Sequence, residues 1–273
     1  MENVNTRILN EKKFAFIICT NNEFFMDECR YYLNRLVVPE GYDVDIVEIT
    51  EAKSMTAGYN EGMYYSDAKY KIYLHQDVFI VNRNFLIDIL DIFTQNCNVG
   101  MIGMVGTPYL CKDGTMWRGI RFGGFYKLES YTKNGLVRHF LPLNSGFMDV
   151  EAIDGLLMAT QYDIPWRDDV FHKWDFYDVS QSFEMRRAGY RVVVPGQNCN
   201  WYIHDCGVIN LTNYDGERKL FLKTYEEMQG RQKETWQDLI DNNINVVKNS
   251  CFTCDPKEKE NLLTILEKLR GEK

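Results

Sequence analysis

Long apolar runs are missing from this chain of 273 residues, and no stretch reaches the roughly 20 residues that cross a bilayer. The opening segment MENVNTRILNEKK is polar and lacks the apolar centre of a secretion signal. The chain is therefore read as cytoplasmic, without a membrane span. Basic charge is also in deficit: Lys and Arg number 31 against 39 Asp and Glu, a net charge of −8. That balance excludes the general basic face by which proteins bind nucleic acid or an anionic membrane surface. Cys251 and Cys254 form a CxxC, but no second ligand pair accompanies them, so a structural zinc site is not expected. The remaining cysteines, at 19, 29, 97, 111, 199 and 206, are scattered, as suits free thiols in a reducing compartment. Internal repeats and low-complexity tracts are absent too.

What is present is the pattern of an α/β protein with a mostly parallel sheet. Phe14–Thr20 is a continuous apolar run of the kind buried on both faces of such a sheet. Asn21 or Asn22 then caps a helix carrying Phe25, Cys29, Tyr32, Leu33 and Leu36 on one face. Val44–Ile49 reads as a second strand, Ser54 as the cap of a helix containing Met55, Tyr59, Asn60 and Met63, and 71–81 as a third strand. This β-α-β-α-β order implies parallel strands joined by crossovers. Asn84 is expected to cap the next helix, and Val99–Val105 to form a Gly-interrupted strand. Between 107 and 146 short alternating runs, among them 119–126 and 136–141, read as hairpins or long loops, with Trp117 either a stacking platform or packed over a loop. Asp154 and Gly155 mark a turn or bulge, 171–188 has helical spacing closed by Gly189, and 191–195 and 200–204 are short strands. The sequence divides into a domain over 1–212 and a helical appendage over 213–273. Its last helix starts at Asp255 and Pro256, and the appendage is a candidate surface for self-association.

Chemistry concentrates in Lys71–Val81, KIYLHQDVFIV. On one strand His75 and Asp77 project together and Gln76 projects oppositely, which presents a carboxylate where an open α/β sheet usually binds its ligand. Asp154, Asp175, Asp178 and His204 also fall at strand ends or at a helix start. A hard divalent cation beside a diphosphate needs only one or two protein ligands, and Asp77 and His204 suffice. A separate carboxylate would remove the proton from an attacking hydroxyl. Asp178 is the candidate for that base, although the helix dipole alone favours acids at Asp175 and Asp178.

Four segments, IICTNNE at 17–23, AGYNEGMYYSDAKYKIYLHQDV at 57–78, WDFYDVSQSFEMRRAGYRVVVP at 174–195 and WYIHDCG at 201–207, resemble the family 2 type of glycosyltransferases of the GT-A fold. More narrowly, they resemble a bacterial subgroup in which His-Gln-Asp replaces Asp-x-Asp. The resemblance implies an inverting transfer of a sugar from a UDP- or GDP-sugar to a hydroxyl acceptor on a glycan, a lipid-linked saccharide or a protein, assisted by Mn²⁺ or Mg²⁺. It assigns Thr20, Asn21, Glu23, Ser54, Asn60, His75, Gln76 and Asp77 to the nucleotide sugar, Asp77 and His204 to the metal, and Asp178 to the base. Asp175 competes for that last role, since Ser180 stands where relatives often carry a second acid. Asp154, Trp174 and Tyr177 are placed at the acceptor, the two rings as a platform. Two other classes compete with this reading: a GT-A-like module that binds nucleotide sugar or glycan without turnover, and a nucleotidyltransferase. The latter lacks a Gly-rich, Lys/Arg-bearing loop after the first strand.

Overall fold

The computed structural model describes residues 7–127, 140–205, 210–228, 234–249 and 256–271. Strand β1 (Asn10–Cys19) is fully buried from Phe14 to Ile18, as a strand covered on both faces requires. The Asn22 side chain accepts the Phe24 amide and starts α1 (Glu23–Leu33), which lays Met26, Cys29 and Leu33 on the core. After β2 (Asp43–Ile49), the Ser54 hydroxyl accepts the Ala57 amide and caps α2 (Met55–Tyr65). β3 (Ala68–Leu74) completes a parallel trio with β1 in the middle.

The run 71–81 is not one strand. It stops at Leu74, turns through His75–Asp77 with the Val78 amide donating to the His75 carbonyl at 3.2 Å, and resumes as β4 (Val78–Ile80) in another sheet. Helix α3 (Phe85–Gln95) follows, with Asn84 at its N-cap position but without a side-chain cap bond. The Asn82 side chain accepts the Asn84 amide instead. The run 99–105 also divides, into β5 (Val99–Gly103) and β6 (Val105–Thr107), which enter different sheets.

Short strands succeed one another beyond this point: β7 (Arg121–Gly123), β8 (Tyr126–Lys127), β9 (Phe140–Leu141), β10 (Phe147–Asp149), β11 (Ala152–Ile153) and β12 (Leu157–Thr160). Most of the run 136–141 lies outside the described residues. Then come α4 (Tyr177–Arg187), β13 (Arg191–Pro195) and β14 (Tyr202–His204). The central sheet has seven strands in the order β10-β13-β5-β12-β3-β1-β2, with β10 and β12 running against the other five. A second sheet runs β11-β6-β7-β9, and a third, β4-β14-β8, has three strands.

Three helices end the described chain: α5 (Tyr214–Thr224), α6 (Trp236–Asn249) and α7 (Pro256–Gly271). α5 buries Phe221 among Leu110, Phe176 and Phe183, while α6 and α7 close over Ile120, Phe122 and Met148 through Ile240, Ile244, Leu262 and Leu266. The expected Asp255 cap and the 251–254 CxxC lie outside the described residues. Among the described residues no helix is long and apolar enough to cross a membrane.

Candidate metal and nucleotide site

The turn after β3 and the turn after β1 are tied together by one side chain. Gln76 Oε1 accepts from the Thr20 hydroxyl at 2.8 Å and from the amides of Asn21 and Asn22 at 3.0 Å each, and its Nε2 donates to Asn21 Oδ1 at 2.8 Å. Both turns border a cleft of about 410 Å³, whose other walls are Ile49, Thr50, Ala52, Met55 and Trp174. Its lining combines the apolar Ile49, Ala52 and Met55 with the polar His75 and Asp77.

His204 reaches Asp77 through strand pairing. β14 runs antiparallel to β4 with His204 opposite Val78, and the Asp205 amide donates to the Asp77 carbonyl at 2.9 Å. The three side chains converge: His204 Nε2 lies 3.5 Å from Asp77 Oδ2 and His75 Nδ1 lies 4.0 Å from Asp77 Oδ1. One ligand atom from each falls within 4.8 Å of the others. Adjacent ligands of an octahedral ion with bonds of about 2.1 Å stand about 3 Å apart, so small side-chain movements close this set on a cation. The reading of 71–81 as one strand with Asp77 on it is corrected, because Asp77 lies in the turn before β4 and His204 ends β14, the partner of β4 in the small third sheet. Burial pushes the His75 imidazole down to about 4, against the pull of Asp77, which keeps it neutral at pH 7 as a ligand must be. Burial alone would raise Asp77, but the facing His204 and His75 rings outweigh it and hold the carboxyl below its usual range. Two imidazoles and an ionised carboxylate suit a divalent transition metal.

Tyr177, the first residue of α4, joins this cluster to a pair of acids. Its hydroxyl lies 2.6 Å from His75 Nε2. A Cβ on Gly155 would stand 2.1 Å from that hydroxyl, so the turn between β11 and β12 needs glycine there. The same turn holds two carboxylates on successive amides. Gly155 N–H donates to Asp178 Oδ2 at 2.9 Å, Leu156 N–H donates to Asp154 Oδ1 at 2.9 Å, and Asp178 Oδ1 also accepts the Val179 amide at 2.8 Å. Asp154 Oδ2 is buried with no hydrogen-bond partner among the described residues. Burial raises Asp154 to about 6, and burial together with the Asp154 charge raises Asp178 to about 7. Asp175, just before the helix, is raised by burial alone.

Other residues singled out in the sequence stand elsewhere. Glu23 is exposed on α1 and pairs with Arg30 at 2.8 Å, off the cleft. Ser54 is used as a helix cap. Asn60 clamps the backbone of Trp166, donating to its carbonyl and accepting its amide at 2.8 Å each. Replacing Asn60 by Ala strands both buried groups and is expected to cost about 2 kcal/mol or more in urea unfolding, with nucleotide affinity retained. Tyr177 is buried and cannot form the expected platform with Trp174, whose half-exposed ring lines the cleft instead. Trp117 is part-exposed, with Arg121 over its ring. The bracing role of Gln76 and the Tyr177–His75 bond have no local signature, since each is made with a partner more than fifty residues away.

The mostly parallel sheet is that of a GT-A fold, and a cluster of potential cation ligands stands beside its turn-lined cleft. The chain belongs to the family described as glycosyltransferase like, whose model matches residues 15–225. Among solved structures it is similar to GalNAc-T7 with UDP, GalNAc and Mn²⁺, at 10% identity and a TM-score of 0.52 over 87% of this chain and 55% of that one, a likeness of fold. Similarity extends to S. aureus TarS 1-349 in complex with UDP, at 9% identity and a TM-score of 0.46 over 93% of this chain and 70% of that one. The mannosyltransferase PcManGT from Pyrobaculum calidifontis, in complex with GDP-Man and Mn²⁺, gives 11% identity and a TM-score of 0.48 over 94% and 73%. No curated protein matches the chain.

Proposed function

We propose that the chain transfers a sugar, with inversion, from a UDP- or GDP-sugar to a hydroxyl of a saccharide acceptor, and that it belongs to the bacterial subgroup with His-Gln-Asp at the metal site. The observation that carries this reading is the link between two halves of one reaction. A cluster that can hold a cation, His75, Asp77 and His204, is joined through Tyr177 to a carboxyl poised near neutrality, Asp178. Bound there, Mn²⁺ or Mg²⁺ would neutralise charge on the leaving nucleoside diphosphate. Thr20 and Asn21, braced by Gln76, line the cleft into which the nucleotide fits, and Trp174 borders it. Asp178 takes the proton of the acceptor hydroxyl, and the buried Asp154 beside it keeps its affinity for that proton high enough for the task. In this reading residues 1–212 form the transferase domain and 213–273 a helical appendage, the reaction takes place in the cytoplasm, and the appendage is available for self-association.

The test is to incubate the protein with a panel of UDP- and GDP-sugars, with and without Mn²⁺, while following thermal stability and release of nucleoside diphosphate. A matching donor raises the unfolding temperature only when metal is present, and slow hydrolysis accompanies it. Stabilisation with no release from any donor, even with glycan acceptors added, would identify a binding module rather than a transferase.

A further inference from the structure

We infer that Tyr177 is a positioning residue of the metal site: its hydroxyl holds Nε2 of His75 so that Nδ1 faces Asp77 and His204 as a third ligand atom. The inference rests on the metal reading above. An imidazole binds a metal through one nitrogen, and the other must then carry the proton and find an acceptor. In this chain the two nitrogens are unequal. Nε2 lies 2.6 Å from the Tyr177 hydroxyl, within hydrogen-bond range, whereas Nδ1 stands 4.0 Å from Asp77 Oδ1, too far for a hydrogen bond and open to an ion between them.

The tyrosine is itself immobilised. Its ring is buried, packed edge-on against Tyr59 at 5.8 Å and beside Trp166 at 6.3 Å, and its hydroxyl fills the space that Gly155 leaves by having no side chain. A hydroxyl, unlike a carboxylate or an amide N–H, both donates and accepts. Whichever nitrogen carries the ring proton without metal, the hydroxyl can serve Nε2, donating to it when bare and accepting from it when protonated. A cation held at Nδ1 would require the proton on Nε2, and the hydroxyl would then be its acceptor. Tyr177 thus supports His75 in both states with the same heavy-atom geometry.

The test is Tyr177→Phe, which removes one oxygen from a ring of unchanged shape. Mn²⁺ affinity is measured by calorimetry, alone and with UDP or GDP, and is expected to fall about 10- to 100-fold, as for loss of other partners behind metal-bound histidines. Nucleotide affinity in EDTA and the unfolding temperature should hold. In the wild-type chain loaded with Zn²⁺, nitrogen-15 NMR should show the His75 proton on Nε2. Equal Mn²⁺ affinities in the two proteins, or a loaded His75 with its proton on Nδ1, would overturn the inference and leave the metal site standing. If the variant unfolds, the wild-type spectrum decides alone. Failure of the wild-type chain to bind Mn²⁺ with or without nucleotide would instead remove the metal reading and this inference with it.

Discussion

Asp178→Asn is expected to lower sugar transfer about 10²- to 10⁴-fold, the range typical of losing a general base, while donor affinity measured by calorimetry stays where it was. The geometry supports this directly. Each oxygen of Asp178 accepts one backbone amide, from Gly155 and from Val179, which fixes the carboxylate and leaves a further lone pair on each oxygen for an acceptor hydroxyl. Burial and the charge of Asp154 raise its pKa to about 7, so it ionises near neutral pH. The base must be unprotonated to act. The rate constant kcat/KM should therefore rise with pH through about 7 and level off above it. Asp175→Asn serves as the comparison, because Asp175 is also raised by burial and precedes the same helix. A collapse of turnover in Asp175→Asn with Asp178→Asn nearly intact would transfer the role to Asp175.

Removing the Asp77 carboxylate should have an effect of similar size on binding rather than on turnover. With Asp77→Ala the cluster keeps its two imidazoles and loses the only carboxylate among its three members. Metal-dependent affinity for UDP or GDP is expected to drop more than about 100-fold, since a hard divalent cation beside a diphosphate depends on one or two protein oxygens. The fold should survive, because the backbone of the turn is held independently of the side chain, by the Asp205 amide on the Asp77 carbonyl at 2.9 Å. Calorimetry with Mn²⁺ and each nucleotide checks the first point and circular dichroism the second. Undiminished affinity in a folded variant would take Asp77 out of the site.

The parallel trio of strands was legible because its signals are local. The run 14–20, the caps at Asn22 and Ser54, and the helical spacing after each depend on neighbours within a few residues. Asp77 and His204 were legible as partners, but for a reason that differs from the one found. Alternation along 71–81 suggests a single strand, whereas the His75 amide donates to the Leu156 carbonyl and the chain turns there, a contact made by a distant element. Only then can β4 leave the central sheet and pair with β14. The same long-range dependence hides the role of Gln76, which reads as a strand residue projecting opposite to His75 and Asp77 and is the brace of the first turn. It also explains Asn60 and Tyr177: polar groups on a helix read as ligand contacts until a buried partner, the Trp166 backbone or the His75 ring, is seen to occupy them. Helix α6 was not separately recognised within the polar stretch after 213, because its buried stripe needs the facing surface of Ile120 and Phe122 to be recognised.

Phe176, immediately before Tyr177 and Asp178, has φ +59°, and among the described residues it is the only one other than glycine in the left-handed region. Holding a bulky residue there costs about 1 kcal/mol or more, which must be met by packing. The rings that trap it, Tyr214 at 5.0 Å and Phe221 at 5.4 Å, both belong to α5. The backbone twist that aims one tyrosine at the cation cluster and one aspartate at the turn is thus secured by a helix that contributes no reacting group. Selection for catalysis would then act on α5 through ring shape, and an insertion or register slip in that helix would blunt the chemistry while leaving every residue of the cleft in the sequence.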